Sequence, residues 1–284
     1  MTEPKMKKVK GDGVQINLAE WGGQGKHVLC IHGITANCRS WDMVVQSLVP
    51  DFHVMAMDLR GRGMSDKPNT GYSLAHHIKD IVSLMDDLGI DKITPMGHSL
   101  GAFISLAFAA EHPDRVDKLV LVDGAGDLSP EQLDKVFEGI KPAFDRLTEV
   151  FESKEAYMEK MKAAPFLHPW NDVVDTYYYH EIEETADGAK TNISFDHIAE
   201  EAANVREVKC RTYYPQLKCE TLILKATEGL ISSDDLLLPE DVITVMMKEI
   251  PTAIRHDVVG TNHYGIVFQP DEKRDQAIRQ FLAE

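Results

Sequence analysis

Short apolar runs rich in β-branched residues alternate along the first 125 residues with stretches whose apolar positions recur every three or four residues. "VQINLAEW" (14–21), "HVLCIHG" (27–33) and "HVMAMDL" (53–59) read as strands. "WDMVVQSLV" (41–49) reads as a helix, and "LAHHIKDIVSLMDDLGI" (74–90) as a long amphipathic helix stopped near Gly89. A strand "ITPMGHS" (93–99), a helix "LGAFISLAFAAEH" (100–112) and a strand "VDKLVLVDG" (116–124) follow. This order predicts an α/β fold, with a mostly parallel central sheet flanked by helices. "KMKKVK" at Lys5 to Lys10, where Met6 and Val9 interrupt the lysines, reads as an edge strand. Pro95 falls inside a strand that should be central, and its missing NH predicts a local irregularity there.

The pattern changes over residues 126–212, where helical stretches rich in Glu, Lys and Met replace strands and aromatic residues cluster in "FLHPWNDVVDTYYYHEI". Strand and helix signals then resume with "TLILKA", "PEDVITVMMKEI", "AIRHDVVG" and "DEKRDQAIRQFLA". The expected organisation is a core in two parts, residues 1–125 and 213–284, flanking a helical cap insertion at 126–212.

Composition narrows the function classes. With 43% hydrophobic and 27% charged residues the chain is an ordinary globular one, and a net charge of −16 without a long basic run argues against nucleic acid and anionic membrane surfaces as partners. Cys30, Cys38, Cys210 and Cys219 form no CxxC pair and no metal-like spacing with the histidines, so no metal and no cofactor are expected. The absence of a signal-like leader or a long apolar span makes a cytoplasmic location and a small-molecule substrate the expectation.

"MGHSLGAF" is where chemistry concentrates. A nucleophilic serine needs its hydroxyl at a sharp strand-to-helix corner with no bulky flanking side chains, and Gly97 and Gly101 around Ser99 meet that demand. The helix that begins after Ser99 would aim unpaired NH groups at a developing oxyanion.

"HGITANCRSW" (32–41), "DLRGRGMSDKP" (58–68), "GHSLG" (97–101), "LVLVDG" (119–124) and "TNHYGIVF" (261–268) together resemble the α/β-hydrolase fold superfamily, in its serine-nucleophile esterase and lactonase branch. That resemblance implies the catalytic histidine at His263, in the loop past the last strand. It implies oxyanion-hole NH groups from Ile34 and Leu100, with His32 shaping the oxyanion loop and His98 supporting the turn. It also implies a scaffold role for "DLRGRGMSDKP", in which Asp58 and Arg60 are expected to pair. The insertion would correspond to the variable cap, with Phe166, Trp170 and Tyr178 as expected substrate contacts and His168, Tyr177 and Tyr179 as further aromatic candidates.

Relatives of this kind place the triad acid after either of two strands. Asp123 ends "LVLVDG", directly after the strand that follows the nucleophile helix; Glu228 follows "TLILKA", with Asp234 and Asp235 further along that loop. Asp123 is the expected acid and Glu228 the alternative. The expected function is a serine hydrolase cleaving a carboxylic ester or lactone through an acyl-enzyme. Carbon-carbon bond hydrolysis, amide hydrolysis and acyl transfer would use the same parts, and a ligand receptor with a vestigial triad is the reading from another class. Epoxide hydrolase and haloalkane dehalogenase branches are disfavoured because they resemble this fold but use an aspartate at the nucleophile position, where this chain has Ser99.

Overall fold

The strands at the centre of the sheet are apolar on both faces because helices cover both. The computed structural model describes residues 2–233 and 235–284. Strands β1 (Lys5–Lys10), β2 (Gln15–Gly22), β3 (His27–Ile31), β4 (His53–Met57), β5 (Thr94–His98) and β6 (Lys118–Val122) precede the insertion, which carries β7 (Ile182–Thr185) and β8 (Gly188–Thr191). After it come β9 (Glu220–Ala226) and β10 (Ala253–Val258). Eight of them form one sheet in the order β1-β2-β4-β3-β5-β6-β9-β10. β1 and β2 run antiparallel to their neighbours, and every other pair is parallel.

The period-2 alternation of these strands sorts their side chains between two cores. Leu29, Ile31, Met55, Met57, Leu119 and Leu121 face one side; Val28, Cys30, Val54, Ala56, Val120 and Val122 face the other. The helices before the insertion are α1 (Asp42–Val45), α2 (Leu74–Leu88) and α3 (Leu100–Glu111). The insertion contributes α4 (Pro130–Gly139), α5 (Lys141–Asp145), α6 (Lys154–Lys162), α7 (Asp172–Glu181) and α8 (Phe195–Arg206). The last are α9 (Glu240–Glu249), α10 (Gly265–Phe268) and α11 (Glu272–Ala283). Ile78, Ile81 and Leu84 of α2, Ile104 and Phe108 of α3 and Ile243 of α9 fill the first core. Val44 and Val45 of α1, Ile266 of α10 and Ile278 and Phe281 of α11 fill the second. Each such side chain contributes roughly 1.5–3 kcal/mol on full burial.

This arrangement places a crevice. The chain leaves β3 for α1 on one face and leaves β5 for α3 on the other, and β3 and β5 are neighbours. Loops that part to opposite faces open a gap beyond the carboxyl ends of the strands, where open α/β sheets hold their ligands. Three side-chain amides join segment 126–212 to the loops at this edge: Asn37 Nδ2 donates to the carbonyl of Tyr177, Asn262 Nδ2 to that of Phe166, and Asn171 Nδ2 to that of Phe268.

Four features differ from or sharpen the sequence expectations. Pairing with β3 runs straight through Pro95, opposite Leu29, but on the β6 side the register slips by one residue between Ile93↔Val116 and Met96↔Val120. The helix at 41–49 is only one turn, Asp42–Val45, preceded by a 3₁₀ turn. The insertion holds the antiparallel hairpin β7–β8 as well as helices. Asp58 and Arg60 do not pair with each other: Arg60 Nε meets Asp80 of α2 at 2.7 Å, while Asp58 accepts from Asn17 Nδ2, the NH groups of Cys38 and Met64, and His180. Adjacent in sequence but one, their side chains diverge because the loop turns between them.

Candidate active site

β5 ends at His98, and the next residue takes a backbone conformation foreign to strand and helix alike: Ser99 has φ 55° and ψ −120°. A non-glycine residue held there costs about 1–3 kcal/mol, which the surroundings must supply. They do so by close approach. A Cβ on Gly97 would lie 2.0 Å from the carbonyl oxygen of Gly101, and one on Gly101 would lie 2.0 Å from that of Ile31. The glycines that bracket the serine are therefore required by contact between backbones. The Ser99 NH donates to Val122 O at 3.1 Å, tying the corner to β6, and Leu100 opens α3, so its NH has no acceptor within the helix.

Asp123 stands one residue past β6 with φ 44°. Its NH donates to Leu224 O at 2.8 Å, and its Oδ1 accepts from the Ala226 NH at 3.1 Å, so β9 fixes both its backbone and its carboxylate. Oδ2 then accepts from His263 Nδ1 at 2.8 Å, with the aspartate 2% and the histidine 5% exposed. This bond assigns the Nδ1–H tautomer and leaves Nε2 as the accepting nitrogen. His98 Nε2 donates to the His263 carbonyl at 2.9 Å, and the two rings lie 4.4 Å apart. Burial, with the neighbouring His263, holds the His98 imidazole well below its ordinary range and so neutral.

The other acid candidates lie elsewhere. Glu228 is exposed, and its contribution is a backbone NH donated to Thr261 O at 2.9 Å. Asp235 accepts from the NH groups of Leu230, Ile231 and Ser232 and closes its own loop. Asp234 lies outside the described residues.

The loop after β3 is held at three successive carbonyls. His32 Nδ1 donates to Gly33 O at 2.7 Å while its Nε2 accepts from the Leu59 NH at 3.0 Å, and Ala36 NH also reaches Gly33 O at 3.1 Å. These bonds orient the Gly33–Ile34 peptide, whose NH belongs to Ile34. Burial pushes the His32 imidazole down to about 4, which suits one ring nitrogen donating and the other accepting. Arg62 Nε donates to Ile34 O at 3.0 Å, and Arg146 Nη2 donates to Thr35 O at 2.9 Å. Sequence reading missed both arginines. Arg62 lay in a segment read as scaffold, and nothing local distinguishes Arg146.

Two cavities meet at Ser99. One is lined by Gly33, Ile34, His98, Ser99, His263 and Tyr177, among others, and shares Thr35, Tyr177 and Tyr264 with a chamber of about 710 Å³. Phe166 and Tyr178 line that chamber. Trp170 does not: it stacks on Tyr178 at 5.7 Å and donates to Asp175 Oδ1, standing behind the wall. Tyr179 is 55% exposed and His168 is exposed as well. The second cavity, about 40 Å³, includes Ser99, Leu100 and Ile34. Cys38, Asp58 and His180 come within 4.8 Å of one another, but the Asp58 carboxylate there is already engaged by backbone NH groups and Asn17.

Comparison with known proteins agrees with this architecture. The model of the alpha/beta hydrolase fold family matches residues 26–270, and the chain belongs to that family. Over 145 residues it is 36% identical to the 2-(acetamidomethylene)succinate hydrolase of Mesorhizobium japonicum, covering 51% of each protein. Over 104 residues, 37% of this chain and 30% of the other, it is 41% identical to an uncharacterized protein of Mycobacterium tuberculosis. The chain thus matches about half of the length of one of these curated relatives and about a third of the other. A solved structure of E-2-(acetamidomethylene)succinate hydrolase superposes with a TM-score of 0.85 at 25% identity, covering 99% of this chain and 100% of that one. The chain is a member of a hydrolase superfamily, and no helix of the described residues is long and apolar enough to cross a membrane.

Proposed function

We propose that the protein is a cofactor-independent serine hydrolase acting on a carboxylic ester or lactone, with Ser99 as nucleophile, His263 as general base and acid, and Asp123 as the acid that orients it. The observation that carries this reading is the buried 2.8 Å bond from His263 Nδ1 to Asp123, on a histidine that lines the same cavity as Ser99. Ser99 Oγ adds to the carbonyl carbon as His263 Nε2 takes its proton. The NH groups of Ile34 and Leu100 hold the oxyanion, each on a backbone segment already fixed in place. Collapse breaks the carbon–oxygen bond, and His263 returns the proton to the departing oxygen. Water then adds to the acyl-enzyme through the same base, releasing the acid and restoring Ser99. The segment 126–212 acts as a cap over this site.

Amide hydrolysis is the second reading, favoured by the full-length likeness to E-2-(acetamidomethylene)succinate hydrolase. That protein's named substrate is a dicarboxylate. Here, among the described residues, the two cavities that include Ser99 have no Lys or Arg on their walls. In the outer chamber Arg146 is committed to Glu181, to Thr35 O and to Ala143 O, and Lys160 is paired with Glu149. A neutral ester fits these surroundings better than a dianion.

The test is steady-state hydrolysis of p-nitrophenyl esters by the native protein and by Ser99→Ala. Turnover abolished in the variant supports the reading. No turnover by the native protein, with tight binding of a small ligand, would point to the receptor instead.

A further inference from the structure

The two cavities at Ser99 differ in chemistry. One carries His263, His98 and Tyr177 on its wall. The other is lined by Leu133, Val136 and Phe137 of α4, by Ile140 just past its last turn, and by Phe103 and Leu237, among others, and every described residue on it apart from Ser99 is apolar. Positions 133, 136, 137 and 140 follow the spacing of a single helix face, so α4 presents one apolar stripe to this pouch. Ser129 caps α4 with a reciprocal side-chain box, which fixes where the stripe begins.

In an acyl-transfer reaction the leaving oxygen must lie where the histidine can protonate it, so the leaving group occupies the cavity that contains His263. The acyl chain departs from the same carbonyl carbon along a different bond. His263 is not among the pouch residues, whereas Ser99, Ile34 and Leu100 are, so the carbonyl carbon would sit at the pouch mouth. We infer that the pouch is the acyl site and that it accepts a short, unbranched, uncharged aliphatic chain; this rests on the hydrolase reading above.

Size and polarity both limit the chain. The pouch offers about 40 Å³, and one water needs roughly 10–15 Å³ on the same measure, so it holds about three or four non-hydrogen atoms. That is the tail of a butanoyl or pentanoyl group. A carboxylate or ammonium on the chain would enter a wall with no partner for it, at a cost of several kcal/mol. The bulkier and more polar part of the substrate is the alcohol, held against the aromatic chamber of about 710 Å³.

The experiment compares kcat/KM for p-nitrophenyl acetate, butanoate, hexanoate and octanoate across variants. The native protein prefers butanoate. Leu133→Ala, which deepens the pouch, raises hexanoate relative to butanoate by about tenfold, the discrimination expected of a methylene or two in an apolar pocket. Val136→Phe, which fills the pouch, moves the optimum to acetate, so the two variants shift in opposite directions even where one is less stable. Met161→Ala, in the outer chamber, leaves the acyl order unchanged and alters the preference between ethyl and naphthyl butanoate. Ester turnover whose acyl order ignores both α4 variants, or follows Met161→Ala, overturns the pouch assignment and leaves the hydrolase reading standing. Absence of any turnover overturns both.

Discussion

Arg146, carried by segment 126–212, donates from Nη2 to the backbone carbonyl of Thr35 in the loop after β3, 2.9 Å away, with the arginine 3% exposed. The preceding carbonyl, Ile34 O, is held in the same way by Arg62. Each guanidinium is balanced by a glutamate of the insertion: Glu181 of α7 for Arg146, and Glu201 of α8 for Arg62 at 3.1 Å. Burial works against the charge of Arg146, but Glu181 outweighs it and holds the arginine well above its ordinary range. The loop that would supply an oxyanion NH is thereby tied to the docking of the insertion through two buried ion pairs.

Removing one partner of such a pair strands a buried charge. Glu181→Gln should lower the unfolding free energy by about 3 kcal/mol, read by urea denaturation. Replacing both partners, Arg146→Met with Glu181→Leu, should recover most of that stability but not the ester kcat, because the Thr35 carbonyl stays unheld. A double variant with native kcat would show that the arginine does not position the loop.

Asp123→Asn should lower kcat by ~10³-fold or more, since the amide can no longer hold the Nδ1–H tautomer of His263. Glu228→Gln should leave kcat nearly unchanged, its side chain being exposed. Equal losses in the two variants would remove the basis for assigning the acid to Asp123.

His32 gives the fold a pH dependence. Its imidazole lies at about 4 when folded and near 6.5 when unfolded, so below 6.5 the unfolded chain binds the extra proton first. Stability contributed by keeping it neutral is complete above that range and is lost as pH falls toward 4, by on the order of 3 kcal/mol. His98, depressed for the same reason, adds in the same direction. Urea midpoints should therefore fall steadily from neutral pH to about 4.5, and His32→Gln should flatten that slope. An unchanged slope in the variant would place the effect elsewhere.

The parts of this structure that depend on short-range pattern were legible in the sequence. β3 to β6 announce themselves as apolar runs between turn signals, and Gly97, Ser99 and Gly101 mark their corner because close backbone contact demands glycine. The nearness of Asp123 to the histidine loop followed from strand adjacency. Features set by tertiary packing were not legible. "IEET" and "GAKT" of the hairpin are short and polar, with no alternation to betray them. Trp170 and Tyr178 look equivalent in sequence, yet one lines the chamber and the other backs it. The α4 stripe reads as any amphipathic helix, and only the fold reveals that Ser99 lies at its foot.

Turnover by the proposed route passes through a covalent acyl-enzyme at Ser99. The most direct measurement is intact-protein mass spectrometry of the native chain, acid-quenched during turnover of p-nitrophenyl butanoate, followed by peptide mapping. A single butanoyl group is expected on the peptide containing Ser99, absent in Ser99→Ala. An adduct on another residue, or sustained turnover in Ser99→Ala, would contradict it.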